Sequence, residues 1–114
     1  MTVRGVHSKK ETGHFRIIFL GDVVGRPGRT VLKQKLRSFR ESLEADLVIV
    51  NGENAAGGAG IDASTAREIR DAGADIVTLG DHAFQRKGAG EFLNQNAEWC
   101  IRPYNLPAKT TPGK

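Results

Sequence analysis

The chain has 114 residues, of which 39% are hydrophobic and 26% are charged, and its formal net charge is +4. This length suits one globular domain that buries about two thirds of its unfolded surface, and no apolar run approaches the roughly 18 residues of a membrane span. The modest positive charge would attract phosphate weakly, but it forms no basic stripe of the kind that binds nucleic acid, so no nucleic-acid partner is expected. No signal peptide is visible, and the single cysteine, Cys100, has no partner for an internal disulfide, which favours a reducing cytoplasm.

The first 14 residues are polar and lack hydrophobic periodicity. Such a segment cannot bury enough apolar surface to fold, so we expect residues 1–14 to be a disordered tail and residues 15–114 to form the folded domain. Beyond the tail, four apolar runs have the length of buried strands. They are residues 15–20, 46–50, 75–79 and 98–102.

Helical patterns separate these runs. An apolar stripe at helical spacing predicts a first helix with Pro27 in its first turn. The stripe consists of Val31, Leu32, Leu36, Phe39 and Leu43. A second helix is expected to begin at Asp62 or Ser64 and to end at Gly73. A third helix, around residues 86–96, is predicted less strongly because it contains two glycines.

The order strand, helix, strand, helix, strand predicts an α/β fold with parallel strands and right-handed crossovers. Ligands of such sheets bind beyond the carboxyl ends of the strands. Three loops begin there, and they carry carboxylates at Asp22, Glu53 and Asp81. The three carboxylates are therefore expected to converge on one edge of the sheet.

Converging carboxylates repel one another, and two unit charges about 4 Å apart cost about 4 kcal/mol at an effective dielectric constant of about 20. Water can screen this repulsion, the carboxyl pKa values can rise, or divalent cations can lie among the groups. Carboxylate oxygens, together with the amide of Asn54 and the imidazole of His82, suit Mn²⁺, Fe²⁺ or Mg²⁺. The pattern therefore favours a metal site.

Two further features suit an anion beside such cations. Gly57 and Gly58 would let the backbone approach an ion or a phosphate without a Cβ atom in the way. Arg26 and Arg29 lie near the start of the first helix, where positive charge opposes the helix dipole unless an anion is held there. Both features favour a phosphate-bearing ligand.

Other interpretations are open for each residue. Asp22 is also an ordinary turn residue, Asn54 a loop residue and His82 a hydrogen-bonded polar side chain; their joint occurrence after three strands is what favours a site. A dinucleotide-binding loop is the rival hypothesis, because residues 58–63 match the pattern G-x-G-x-x-[GA] before a helix. Seven residues separate that segment from Val50, whereas the fingerprint normally follows its strand almost at once, so we rank this hypothesis lower.

Four stretches together resemble the bacterial YmdB-type metallophosphoesterases, which are relatives of the calcineurin-like phosphoesterases. They are IIFLGDVVGRPGR at 17–29, VIVNGENAAGGAG at 48–60, GADIVTLGDHAF at 73–84 and RPYNLP at 102–107. They follow the family's order and spacing and span nearly everything after the tail. The resemblance implies a parallel βαβαβ half of a calcineurin-like αββα sandwich. It also implies hydrolysis of phosphodiesters, notably cyclic nucleotides, at a two-metal centre.

By position, the resemblance makes Asp22, Glu53 and Asn54 metal ligands. Asp81 stands where many relatives have Asn in a GNH segment, so it is expected to be a ligand that adds a negative charge. His82 resembles the catalytic histidine, which meets the substrate phosphate and can protonate the leaving oxygen. Two ions, Mn²⁺ or Fe²⁺ with Mg²⁺ as the alternative, would lower the pKa of bound water to about 7 and clamp the attacking and leaving oxygens.

The sequence departs from this family in its length. Members are longer, and their second half supplies further histidine ligands, whereas the histidines here are His7, His14 and His82. The chain is therefore interpreted as the N-terminal part of a metallophosphoesterase domain with an incomplete site. Its uncovered apolar sheet face predicts homo-oligomers or marginal stability. The alternative function is that of a truncated remnant that binds a metal ion or a nucleotide without catalysis.

Overall fold

The structure, a computed structural model, describes residues 13–107 and 111–114. Nearly all of the predicted disordered tail, including His7, lies outside the described residues. Within them, no helix is both long enough and apolar enough to cross a membrane.

In the described part of the chain, four strands alternate with three helices. The strands are β1 (Ile17–Leu20), β2 (Leu47–Asn51), β3 (Ile76–Thr78) and β4 (Cys100–Ile101). The helices are α1 (Gly25–Ser42), α2 (Ala63–Ala72) and α3 (Ala89–Gln95). All strand pairs are parallel and follow the order β1-β2-β3-β4, which confirms the predicted parallel α/β class.

This strand order places the helices on one face of the sheet and leaves the other face open. Right-handed crossovers that always step in the same direction stay on the same side of a sheet. The strand residues on the helix side are buried: Ile18, Val48, Val50 and Val77. On the other side, Ile17 and Phe19 are 54% and 62% exposed. There, Phe19 pairs in register with Ile49 and Ile49 with Ile76, so an apolar row crosses three strands. We call this side, defined by Ile17, Phe19, Ile49 and Ile76, the open face.

Helix α1 buries most of the predicted stripe. Leu32, Leu36 and Leu43 are buried, and Phe39 packs against the core. Val31 is 49% exposed, so its assignment to the stripe was wrong. It precedes Leu32 by one position, which places it about 100° around the helix from that buried residue.

Helices α2 and α3 begin and end at identifiable caps. Asp62, rather than Ser64, caps α2: its carboxylate accepts from the amide of Thr65 at 2.8 Å. Gly73, with φ 131°, ends this helix as predicted. Helix α3 is shorter than predicted because it begins only after Gly88, whose φ of 81° is left-handed.

An ion-pair group joins α1 to α2 on the surface. Glu68 of α2 accepts from Arg29 at 3.0 Å and from Lys33 at 2.8 Å, both in α1. The hydrogen bond from Lys33 and the positive charges of both residues lower the pKa of the Glu68 carboxyl. The two helices therefore form one layer behind the sheet, which fixes where the loops at the strand ends emerge.

Candidate metal centre

Three loops leave the carboxyl ends of the first three strands and meet at one edge of the sheet. We call them loop 1 (21–24), loop 2 (52–62) and loop 3 (79–88). The amide of Val23 donates to the carbonyl of Asn51 at 3.1 Å, and the amide of Gly52 donates to that of Thr78 at 2.8 Å. These bonds hold loops 1 and 2 against the neighbouring strands, so the start of each of these two loops has a defined position.

Two carboxylates and an imidazole cluster between loops 2 and 3. Glu53, Asp81 and His82 each place one ligand atom within 4.8 Å of the other two, and we call them the carboxylate–histidine cluster. The side chain of Asp81 is 85% exposed and that of His82 is 39% exposed, so solvent ions have access. The two carboxylates, with the imidazole beside them, fit a divalent cation such as Mn²⁺ or Fe²⁺.

A chain of hydrogen bonds extends the cluster towards loop 1. The side-chain Nδ2 of Asn54 donates to Oδ1 of Asp22 at 2.8 Å, and Asn54 Oδ1 lies 2.7 Å from Nδ1 of His82. Because an ionised carboxylate only accepts, the amide nitrogen of Asn54 must face Asp22 and its oxygen must accept from His82 Nδ1–H. In the neutral imidazole, Nε2 is then the unprotonated nitrogen, available as a ligand or a base.

The structure thus brings together the five residues predicted to be metal ligands or catalytic: Asp22, Glu53, Asn54, Asp81 and His82. Their convergence follows from the parallel sheet, while their individual roles stay predictions.

The backbone around these residues is specialised. Asp22 has a φ of 38°, a left-handed conformation that is uncommon for a residue with a side chain and that aspartate adopts more readily than most residues. In loop 3, a Cβ atom at Gly80 would lie 1.9 Å from Oε2 of Glu53. Gly80 therefore makes room for the Glu53 carboxylate. No role was predicted for this glycine from the sequence, although its position directly before Asp81-His82 was a usable signal.

The residues predicted to hold an anion are dispersed more widely. Arg26 is exposed in the first turn of α1, and Gly57 and Gly58 are exposed in loop 2 with φ of 64° and 93°. A Cβ atom at Gly58 would meet nothing within 4 Å, so there is room for a ligand. However, the amide of Gly58 already donates to the carbonyl of Asn54 at 3.1 Å. A ligand could therefore approach this residue at its Cα atom rather than at its amide.

The side chain of Arg29 makes contacts within the protein instead of facing an anion site. Its guanidinium donates to Glu68 at 3.0 Å and to the carbonyl of Ala55 at 2.5 Å. The side chain therefore connects α1 to α2 and to loop 2, and the interpretation of Arg29 as part of an anion site is not supported.

Cys100 lies away from these loops, in β4, and is fully buried. Burial raises the pKa of its thiol to about 12. The predicted core role is confirmed, because a thiol of this pKa is almost wholly protonated at ordinary pH and is a poor nucleophile.

We expect Cys100 to resist thiol reagents in the native protein. At mildly alkaline pH, labelling by a disulfide reagent should reach less than about a tenth of a molar equivalent in the time in which the unfolded chain reacts fully. Absorbance of the released thiolate measures this directly. Rapid native labelling at a rate independent of denaturant would contradict the burial of Cys100.

The fold and the site together define an α/β protein with a carboxylate–histidine centre at the carboxyl edge of a parallel sheet. A family model described as "YmdB-like protein" matches residues 18–114, and the chain belongs to this family. The family assignment made from the four sequence stretches is thereby confirmed.

Individual relatives agree with this assignment. The chain is 37% identical over 99 residues to the 2',3'-cyclic-nucleotide 2'-phosphodiesterase of Bacillus subtilis, a match that covers 87% of this chain and 37% of the relative. A hypothetical protein from Thermus thermophilus matches in structure with a TM-score of 0.78 and 43% identity, over 88% of this chain and 38% of that one. A phosphatase from Mycoplasma pneumoniae also has a TM-score of 0.78, with 34% identity over 88% and 36% of the two chains.

The structural matches confirm the predicted fold class, the parallel part of a calcineurin-like α/β sandwich. The chain spans only 36–38% of the length of these relatives.

Proposed function

We propose that this chain supplies metal ligands and a proton-transferring histidine to a metal-dependent phosphodiesterase that hydrolyses phosphodiesters such as cyclic nucleotides. The observation that carries the proposal is the carboxylate–histidine cluster, in which ligand atoms of Glu53, Asp81 and His82 lie within 4.8 Å of one another. The names of the relatives, a cyclic-nucleotide phosphodiesterase and a phosphatase, support the same reaction class.

Four side chains would hold the ions: Asp22, Glu53, Asn54 and Asp81. Two divalent cations, Mn²⁺ or Fe²⁺ with Mg²⁺ as the alternative, would when bound lower the pKa of a water molecule and neutralise charge that develops on the phosphate. The carboxylates of the cluster provide the negative charge that such ions need in order to bind.

His82 is suited to transfer a proton. Its Nδ1 is fixed by Asn54 at 2.7 Å, which orients the ring and leaves Nε2 for the substrate. When the ring is protonated, Nε2–H donates to the leaving oxygen of the phosphodiester, and the resulting neutral ring keeps its proton on Nδ1. Three further residues would face the phosphate in this proposal: Arg26, Gly57 and Gly58. The space beside Gly58 is open and could hold the phosphate.

The ligand set in this chain is a partial one. Because the chain spans 37% of the Bacillus subtilis relative, we propose that the other ligands of a two-metal centre come from residues outside this sequence. The same observation supports a second candidate, in which these 114 residues bind a metal ion or a nucleotide without catalysis.

Hydrolysis of bis(p-nitrophenyl) phosphate by the purified chain, with and without Mn²⁺, tests the proposal. Any turnover by this partial site should need the metal, and it should fall by about a hundredfold or more in His82→Ala, because general acid catalysis contributes about that much. His14→Ala is the matched control, since His14 lies outside the cluster, and it should retain full turnover.

Mn²⁺ binding, measured on the same samples by electron paramagnetic resonance, separates the two candidates. Binding without turnover would favour the non-catalytic one. Neither binding nor turnover from a folded sample would contradict both.

A further inference from the structure

Arg86 of loop 3 reaches across to the glycine-rich part of loop 2. Its Nε donates to the carbonyl of Ala59 at 2.8 Å, and its Nη2 donates to the carbonyl of Ala56. Within loop 2, the amide of Ala59 also donates to the carbonyl of Ala56, at 3.3 Å. One planar guanidinium therefore binds the carbonyl groups at both ends of a tight turn. Two hydrogen bonds of this kind need the two fixed N–H directions of an arginine, and the single nitrogen of a lysine could not make both.

Two glycines of loop 2 pack closely against this contact. A Cβ atom at Gly57 would lie 2.8 Å from Nη2 of Arg86, and one at Gly60 would lie 3.0 Å from its Cγ and 2.8 Å from Cβ of Gln85. Both glycines also have positive φ, 64° and 79°. Close packing of Arg86 is thus a reason for glycine at these two positions that is independent of any phosphate.

The contact lies on the same two loops as the carboxylate–histidine cluster. Loop 2 carries Glu53 and Asn54 just before the turn, and loop 3 carries Asp81 and His82 just before Arg86. Side chains join these loops at two points, the contact of His82 with Asn54 at 2.7 Å and the hydrogen bonds of Arg86. With both points in place, neither loop can shift without breaking a hydrogen bond.

We propose that Arg86 is a positioning residue, which holds loop 2 against loop 3 and thereby sets the spacing between Glu53–Asn54 and Asp81–His82. Arg86 itself contacts carbonyl oxygens of the protein, and it acts on a bound cation only through the ligands whose spacing it fixes. The part of this inference that concerns cation affinity rests on the proposed function, whereas the part that concerns loop 2 does not.

The test compares Arg86→Ala, Arg86→Lys and Arg37→Ala in the 114-residue chain. Arg37 is the matched control, because it is also exposed and its Nη2 donates to a backbone carbonyl, that of Asp71 at 2.9 Å, away from the loops. Two quantities are measured: amide hydrogen exchange at Gly58 and Ala59, and Mn²⁺ affinity. Exchange at Val48, in the core, reports whether the fold as a whole has changed.

For Arg86→Ala we expect exchange in loop 2 to accelerate by about tenfold or more, with exchange at Val48 unchanged. We expect Mn²⁺ affinity to fall by about tenfold, the usual result of losing a group that orients metal ligands. Arg86→Lys should recover part of both effects, since one ammonium can reach one of the two carbonyls, and Arg37→Ala should change neither.

Unchanged exchange at Gly58 and Ala59 in Arg86→Ala would overturn the inference, and so would faster exchange with wild-type Mn²⁺ affinity. If the wild-type chain binds no Mn²⁺, the proposed function fails, while the exchange measurement still decides whether Arg86 holds loop 2. If Arg86→Ala does not fold, exchange and affinity in Arg86→Lys decide in its place.

Discussion

Replacing Gly80 by alanine should remove most of the cation affinity of the carboxylate–histidine cluster while leaving the fold intact. The added Cβ atom would lie 1.9 Å from Oε2 and 2.7 Å from Oε1 of Glu53. These atoms are the end of a flexible side chain, so the carboxylate would rotate away and the backbone would stay in place. We expect Mn²⁺ affinity to fall by about tenfold to a hundredfold, as for a displaced ligand, with the melting temperature changed by no more than about 4 °C.

Titration with Mn²⁺ and thermal unfolding followed by circular dichroism measure the two parts of this expectation. Gly21→Ala is the matched control: Gly21 also directly precedes a predicted ligand, and a Cβ atom there would meet nothing within 4 Å. It should bind Mn²⁺ like the wild type. Wild-type affinity in Gly80→Ala would show that Glu53 does not ligate the ion from the position seen in the structure.

The open face of the sheet should make this chain self-associate, and Phe19→Lys should suppress the association. Phe19 is 62% exposed and lies in register with two further apolar residues, Ile49 and Ile76. Contiguous apolar surface of this kind is unusual on a soluble monomer. Burying a phenylalanine side chain contributes about 1.5–3 kcal/mol, so a lysine in its place should weaken association by about tenfold or more.

Sedimentation velocity over a range of protein concentrations tests this expectation. Val31→Lys is the matched control, because Val31 is 49% exposed but lies on α1, outside the open face. It should associate like the wild type. A wild-type chain that sediments as a monomer at every concentration and melts cooperatively would contradict the expectation.

The framework of the fold could be predicted because it depends on local patterns. Apolar runs of strand length and a helical stripe establish the order of the elements, and right-handed crossovers then leave few topologies. The convergence of Asp22, Glu53 and Asp81 followed from the rule that parallel strands present their carboxyl ends at one edge. The exposure of Val31 was missed although helical geometry already places this residue about 100° around α1 from Leu32.

The side-chain contacts between distant elements could not be predicted in the same way. Arg86 lies 30 residues from Ala56, and Arg29 lies 39 residues from Glu68. Neither pair follows from a spacing along the chain, because each depends on where two elements are placed by the sheet. The role of Gly80 was predictable only in part. Its position before Asp81 is visible in the sequence, but a side chain is excluded there by Glu53, which lies in another loop.

The sequential strand order also has a kinetic consequence. Each strand pairs only with the strand before it and the strand after it along the chain, so every βα unit can dock on one that has already formed. Such a sheet can assemble in the direction of synthesis. The centre would then be built in steps, with Asp22 meeting Asn54 once β2 has docked and His82 joining them once β3 follows.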